Sequence, residues 1–450
     1  MRFRPALLVV VTFAGLIVLG IGVLRLQLQT GSQMDESIIT SAFTSVSAVC
    51  VTGLTIIDLS RDMDFGGQLA VLILIQIGGL GVLTVSNWVL LSLRGRLGVY
   101  GTILTANTIG AHPRVSPTVL VRRIIVFTLA SEGIGALVLF LRFLSDHPAR
   151  EAAWLAVFHS VSAFCNAGFS LFSNSLMDYR EDLVVNLTVM ALIIVGGIGF
   201  VAAMDIIEQA AAALKGVRRK LAVHTRVVLG ASLLLIATHA LLFLVFEWNN
   251  TFATESPGGE FVQSFFLSVT SRTAGFNTVD VAHLTNMTLV VVIVLMVIGA
   301  SPGSTGGGIK TTSMVVAVAL VRAHLFNRPE AEVGRRRVPP ELVAKALALI
   351  VLYGLVVIVG MIALQATEFG ELPHQATRGI FLEHLFEVVS ALSTVGLSMG
   401  LTTRLSDGGL VVLMVLMFVG RVGPLVIAAS LIGERPQFDY RLPETDIMIG

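Results

Sequence analysis

FTSVSAVCVTGL at 43–54, FHSVSAFCNAGF at 158–169, FFLSVTSRTAGF at 265–276 and FEVVSALSTVGL at 386–397 are four copies of one phrase. Each runs from a phenylalanine to a glycine ten residues on, in small and polar company, and a long apolar run follows. The glycines, Gly53, Gly168, Gly275 and Gly396, are spaced by 115, 107 and 121 residues. A unit of that length is a supersecondary block rather than a solenoid repeat. The four copies read as four walls of one pore carried on a single chain.

Composition selects the solvent. With 55% hydrophobic and 13% charged residues and a mean hydropathy of +0.87, the chain would precipitate as a soluble domain, so its host is a bilayer and its environment membrane lipid. The net charge of +1 and the lack of a charged tail exclude a nucleic-acid partner. Cys50 and Cys165 share one repeat position and read as small core side chains, with no redox role.

Apolar runs long enough to cross the hydrocarbon core occupy 5–24, 68–93, 124–144, 183–204, 227–246, 344–366 and 409–432. The first follows Arg2 and Arg4 like a signal peptide, but its length and its lack of a small-residue cleavage site make it a membrane helix. An eighth run, 288–321, is interrupted at 300–313 by ASPGSTGGGIKTTS, which no lipid-facing helix would contain. Between the paired runs of each unit, a segment too short to cross ends at the repeated glycine and fits a re-entrant half-helix and loop. The fold expected is therefore an all-α polytopic membrane protein of four pseudo-symmetric helix, pore half-helix and helix repeats around one central pore. The units are 1–95, 96–215, 216–335 and 336–450.

Basic residues cluster in the connections between units: Arg94, Arg96, Arg114, Arg122 and Arg123; Lys215, Arg218, Arg219, Lys220 and Arg226; Arg322, Arg328, Arg335, Arg336 and Arg337. The positive-inside rule makes these cytoplasmic, with both termini. The opposite connections carry acids such as Asp58, Asp178, Asp182, Glu247 and Glu368. The glycine loops then open to the outside, and their acidic rims concentrate cations.

A dehydrated monovalent cation needs several oxygens at once, and backbone carbonyls supply them without a charge that would trap the ion. Glycine allows the angles that turn carbonyls toward one axis. The half-helices, such as 41–49 and 384–392, aim their negative C-terminal ends at that axis. A lone glycine would more often be a helix C-cap; four in register are not explained that way.

VTGL at 51–54, NAGFS at 166–170, RTAGFN at 272–277, TVGLSMGL at 394–401, QIGGLG at 76–81, GGIGF at 196–200 and GRVGPL at 420–425 resemble the KtrB family. Its members are the membrane subunits of Ktr potassium uptake systems in the Trk/Ktr/HKT superfamily. The resemblance implies potassium uptake through a filter lined by carbonyls of Val51, Thr52 and Gly53; Asn166, Ala167 and Gly168; Thr273, Ala274 and Gly275; Thr394, Val395 and Gly396. Only the last triplet keeps the Thr-Val-Gly start of a potassium-channel filter, and none has its full length, which implies fewer coordination layers. Ammonium and sodium are the rival cargoes, and sodium is expected either as co-transported ion or as activator.

The interruption at 300–313 resembles the family's intramembrane gating loop, here Ser301, Pro302, Gly303, Ser304, Thr305, Gly306, Gly307, Gly308 and Lys310, with Pro302 and extra glycine as departures. GSTGGGIKT nearly fits a phosphate-binding loop, but Ile309 separates Gly308 from Lys310 and no strand leads in. Arg421, 25 residues after Gly396, falls in register with the start of this break; an arginine inside a span is costly. It is expected to face the pore, pair with the loop and set a barrier to cations, the alternative being a side chain snorkelling to the surface. Glu132 and His239 are expected to make buried hydrogen bonds between helices.

His159, His384, Glu383 and Glu387 lie on the half-helices without metal-ligand spacing, so no enzyme, cofactor or resident metal is expected. The resemblance further implies a homodimer on a cytoplasmic KtrA-like ring of nucleotide-binding subunits in the bacterial cytoplasmic membrane. The tail 439–450 would pack at the dimer interface, 335–337 would dock the ring, and the pull would act at a hinge near 313–322.

Overall fold

A computed structural model describes residues 5–31, 38–94, 117–253, 256, 258–334, 336–370, 372–377 and 379–424. The boundary near 95, Arg96, Arg114, Arg335 and the tail 439–450 lie outside the described residues. Each unit contributes an outer helix, a short half-helix ending at the glycine loop, and an inner helix. The outer helices are α1 (Pro5–Gly31), α4 (Pro117–Phe143), α8 (Val223–Glu247) and α12 (Pro340–Phe369). The half-helices are α2 (Ile38–Cys50), α5 (Ala149–Cys165), α9 (Gly259–Thr270) and α13 (Ile380–Ser393).

Among the described residues the outer helices alone are unbroken, apolar and long enough to cross a bilayer. Each leaves a broad flank of exposed apolar side chains, such as Leu129, Leu137, Leu234 and Val359, which hydrocarbon would cover.

The expectation of uninterrupted inner helices at 68–93, 183–204 and 409–432 is not met. Helix α3 (Phe65–Arg94) has non-helical backbone at Gly81. Helix α6 (Leu183–Gly197) is followed after a bend of 105° by α7 (Phe200–Leu214), and α14 (Asp407–Val422) stops at Gly423. The third inner helix, α10 (Asn286–Val297), resumes only at α11 (Thr311–Leu325). Gly81, Gly199 and Gly423 have φ of 75°, 89° and 95°, a region that other residues enter at a cost of about 1–2 kcal/mol. Hydropathy alone cannot register such a break.

Three residues before each of these turns stands another glycine. A Cβ on Gly78, Gly196 or Gly420 would overlap the carbonyl oxygen of Val49, Phe164 or Leu392 near the end of the unit's own half-helix. The glycine thus lets inner helix and half-helix touch backbone to backbone. Overpacking such a contact costs about 1–3 kcal/mol. Gly420→Ala is therefore expected to lower the thermal midpoint in detergent, whereas alanine at Gly15, which has open space around its Cα, leaves it unchanged.

Side chains close the bundle between units. Glu132 on α4 accepts from Gln76 Nε2 on α3 at 3.2 Å and lies 3.9 Å from Cys165 Sγ on α5, an interhelical role as expected. His239 departs from expectation: its Nδ1 lies 2.7 Å from Leu235 O of its own helix. Cys50 and Cys165 are free and buried. At one end of the bundle, Arg123 and Arg219 both pair with Glu208, at 3.1 and 2.6 Å. At the other, Asp182 pairs with Arg142, and Glu368 accepts from Ser406 Oγ at 2.6 Å. Arg123 and Arg219 of the basic connections thus lie at the end of α4 opposite to Asp182 of an acidic one.

Candidate ion pathway

The half-helices end alike. In the first unit Val51 N donates to Ala48 O at 3.1 Å and Thr52 N to Ser47 O at 2.8 Å; Asn166 and Ala167, and Thr394 and Val395, repeat the pair. This is a Schellman closure, which places its left-handed residue right after the helix. That residue is Val51, Asn166 or Thr394, with φ of 56°, 58° and 49°. The cap is therefore complete at the residue before the glycine, which rules out the capping explanation of the glycine itself. The third unit differs: Ala274 N bonds Thr270 O at 2.9 Å, and Thr273 has φ of 118°.

Gly53, Gly168, Gly275 and Gly396 are left-handed again, at φ of 93°, 69°, 79° and 91°, while the residue between is not. Backbone that alternates in this way turns successive carbonyls to the same side. A left-handed β-branched residue such as Val51 is a conformational outlier, and such strain concentrates at functional sites.

The four loops close a ring. A Cβ on Gly53 would overlap Ala167 O, one on Gly168 would crowd Ala274 O, one on Gly275 would overlap Val395 O, and one on Gly396 would overlap Thr52 O. Units one to four therefore follow each other around one axis, and each glycine is required by the carbonyl of its neighbour as well as by its own φ. All twelve residues named from the sequence for the filter belong to these loops.

Behind each loop stands a hydroxyl that the sequence reading did not single out. Ser47 Oγ accepts from Gly53 N at 3.1 Å. Ser162 Oγ donates to Phe169 O at 2.7 Å, Thr270 Oγ1 to Phe276 O at 2.6 Å and Ser390 Oγ to Leu397 O at 2.7 Å. The signal was present, as a Ser or Thr five or six residues before every glycine.

The loop 300–310 lies against the inner side of this ring. A Cβ on Gly306 would overlap Thr273 Oγ1, one on Gly307 would overlap Thr394 Oγ1, and Thr305 Oγ1 lies 3.3 Å from the carboxamide of Asn166. The loop's ends are joined: Ile309 N donates to Val297 O at 3.0 Å and Thr311 N to Ala300 O at 3.2 Å. Lys310 Nζ turns inward to Gly306 O at 2.6 Å.

Two anchors hold the loop. Arg421 donates from Nη1 to Thr305 O and from Nη2 to Gly78 O, both at 2.5 Å, so it points inward and does not snorkel. The second anchor was not foreseen. Phe200 N donates to Gly303 O at 3.0 Å, Ser301 N to Gly197 O at 3.1 Å and Thr305 N to Gly196 O at 3.3 Å. The broken helix of the second unit thus grips the loop of the third. A hinge at 313–322 is not found, because α11 runs unbroken through these residues; the non-helical backbone lies between Val297 and Thr311.

At the acidic end, burial alone would raise the Asp58 carboxyl. Hydrogen bonds from Ser173 and Ser60 and the Arg61 guanidinium outweigh it and hold Asp58 below its ordinary value, keeping it charged. The described residues contain no group of three His, Cys, Asp or Glu placed to hold a metal.

Comparison with known proteins identifies the family. The family model described as "TrkH: Cation transport protein" matches residues 7–439. The chain is 36% identical to Ktr system potassium uptake protein B of Vibrio alginolyticus, over 92% of this chain and 88% of that one. It is 34% identical to the protein of the same name from Bacillus subtilis, over 100% and 97%. To the potassium/sodium uptake protein NtpJ of Enterococcus hirae it is 33% identical, over 100% and 98%. The crystal structure of the potassium transporter TrkH from Vibrio parahaemolyticus superposes with a TM-score of 0.75 over 98% of this chain and 86% of that one, at 21% identity, and so supports the fold. The chain belongs to the TrkH family of cation transport proteins, which are transporters and not enzymes, and its full-length likeness to Ktr system potassium uptake protein B places it with that branch.

Proposed function

We propose that this chain takes up potassium across the bacterial cytoplasmic membrane through the ring of glycine loops, with the loop 300–310 as gate and sodium as second cargo or activator. The observation that carries the reading is the closed ring of left-handed glycines, each fitted to its neighbour's carbonyl. Relatives named for potassium uptake, and one for potassium and sodium uptake, support the cargo. With the basic end cytoplasmic, an inside-negative potential supplies about 2.3 kcal/mol per charge per 100 mV, so inward movement needs no ATP hydrolysis by this chain. Restored growth of potassium-auxotrophic cells on low potassium, with uptake competed by rubidium more than by sodium or ammonium, is the expected result. Uptake competed equally by all three would overturn the assignment.

Arg421 fixes the gate closed by clamping the carbonyl of Thr305, and its charge opposes cations below the ring. Arg421→Ala is expected to raise flux about tenfold, the loss of roughly 1.4 kcal/mol of barrier. Kinetics unchanged from the parent would remove Arg421 from the gate.

The chain is expected to work as a homodimer with a nucleotide-binding cytoplasmic ring of the KtrA type, since relatives are named as parts of a Ktr system. The docking face would be the basic end. A regulator there can reach the gate by two routes, α11 and the bent α6–α7 pair. Dimer mass in light scattering, and transport that differs between ATP and ADP with the ring added, are the expected outcomes.

A further inference from the structure

We propose that Glu387, and His159 at the same register position of the second unit, are positioning residues that hold the outer edge of the filter on two opposite sides of the pore. The inference deepens the filter reading and rests on it. Each residue stands nine positions before its glycine on a half-helix and is wholly buried. Each accepts from the serine two residues after that glycine: His159 Nε2 lies 2.9 Å from Ser170 Oγ, and a carboxylate oxygen of Glu387 receives Ser398 Oγ. The imidazole is set for this role, because its Nδ1 lies 2.8 Å from Leu155 O and so carries the proton, leaving Nε2 as the acceptor.

Both serines then act alike. Ser170 Oγ accepts from Phe172 N and Ser398 Oγ from Gly400 N, each at 2.9 Å. A backbone N–H, a serine hydroxyl and a buried acceptor thus form one oriented chain that fixes the path of the segment leaving the filter. Thr402 Oγ1 adds a further donor to Glu387 at 3.2 Å, and Phe172 stacks on the His159 ring with centroids 4.6 Å apart.

The first and third units lack the device. Their residues at this position are Thr44, whose hydroxyl is buried without a partner, and Phe266. The ring order places the second and fourth units opposite one another, so the outer edge is pinned on one diagonal and left free on the other. Hydrogen bonds hold position while carbonyls bind the ion, so the device acts on ion affinity and not on the maximal rate.

The test is potassium uptake by the full-length protein in cells lacking their own uptake systems, with sodium as competitor. Ser398→Ala and Ser170→Ala are each expected to raise the KM for potassium about five-fold, the value of one net hydrogen bond, with the maximal rate kept within about two-fold. Ser398→Thr and Glu387→Gln, which retain the hydroxyl and an accepting oxygen, should restore the parent KM, and Thr44→Val should leave it unchanged. A fall in maximal rate at unchanged KM, or an equal effect of Thr44→Val, overturns the proposal. Gly396→Ser, run alongside, separates the two levels. If it leaves potassium over sodium discrimination intact, the filter reading itself fails; if it abolishes discrimination while both serine variants behave as the parent, only the positioning role fails.

Discussion

Gly396→Ser is expected to reduce discrimination of potassium over sodium by about tenfold or more while the protein still inserts. Two independent facts converge on that residue. Its φ of 91° costs a side-chain-bearing residue about 1–2 kcal/mol, and the new Cβ would strike Thr52 O of the first unit, a carbonyl assigned to the ion. The backbone on one side of the ring must therefore move, and an aperture matched to a dehydrated ion loses its fit. Because selectivity is a difference between two affinities, the ratio should fall further than total uptake does. Competition by sodium measured against rubidium reads it directly, and an unchanged ratio would remove the glycine loops from ion selection.

Deleting 303–308 should give the second large effect, a rise in flux of about tenfold or more with selectivity preserved. The loop touches the inner side of the ring through Gly306 and Gly307 but supplies none of the left-handed glycines of the ring. Its ends are already joined by Ile309 N to Val297 O and Thr311 N to Ala300 O, so excision leaves α10 and α11 connected where they now meet. Flux lost from well-folded protein would show that the loop builds the path, and unchanged flux would show that it does not obstruct it. The two variants should differ in kind, one altering which ion passes and the other how fast.

The parts of this protein legible in its sequence are those written in residue type at fixed spacing. Four phenylalanine-to-glycine phrases gave the loops, and an arginine 25 residues after Gly396 gave the clamp on Thr305. What could not be read depends on where a neighbour's backbone runs. QIGGLG, GGIGF and GRVGPL were visible, yet that their first glycine admits a carbonyl and a later one breaks the helix follows only from the half-helix packed against it. The left-handed Val51 was hidden because β-branched residues avoid that conformation, and here tertiary contacts override the preference. The grip of Phe200 on Gly303 joins residues with no shared motif, and it falls in the non-helical backbone between Val297 and Thr311 rather than at 313–322.

The closure of the ring within one chain has a consequence for inheritance as well as for transport. In a pore of four identical subunits every substitution is made four times, and an insertion aimed at the axis would arrive as four copies competing for space that admits one. Here a single gene spells each quarter separately. One inner helix could therefore acquire the plug, a second the elbow that grips it and a third the arginine that clamps it, while the outer helices kept a common form. A lesion in one glycine loop therefore falls on one quarter of the ring and leaves three intact, and a defective chain cannot spoil a ring made by a sound one, as a defective subunit does when it mixes into a tetramer.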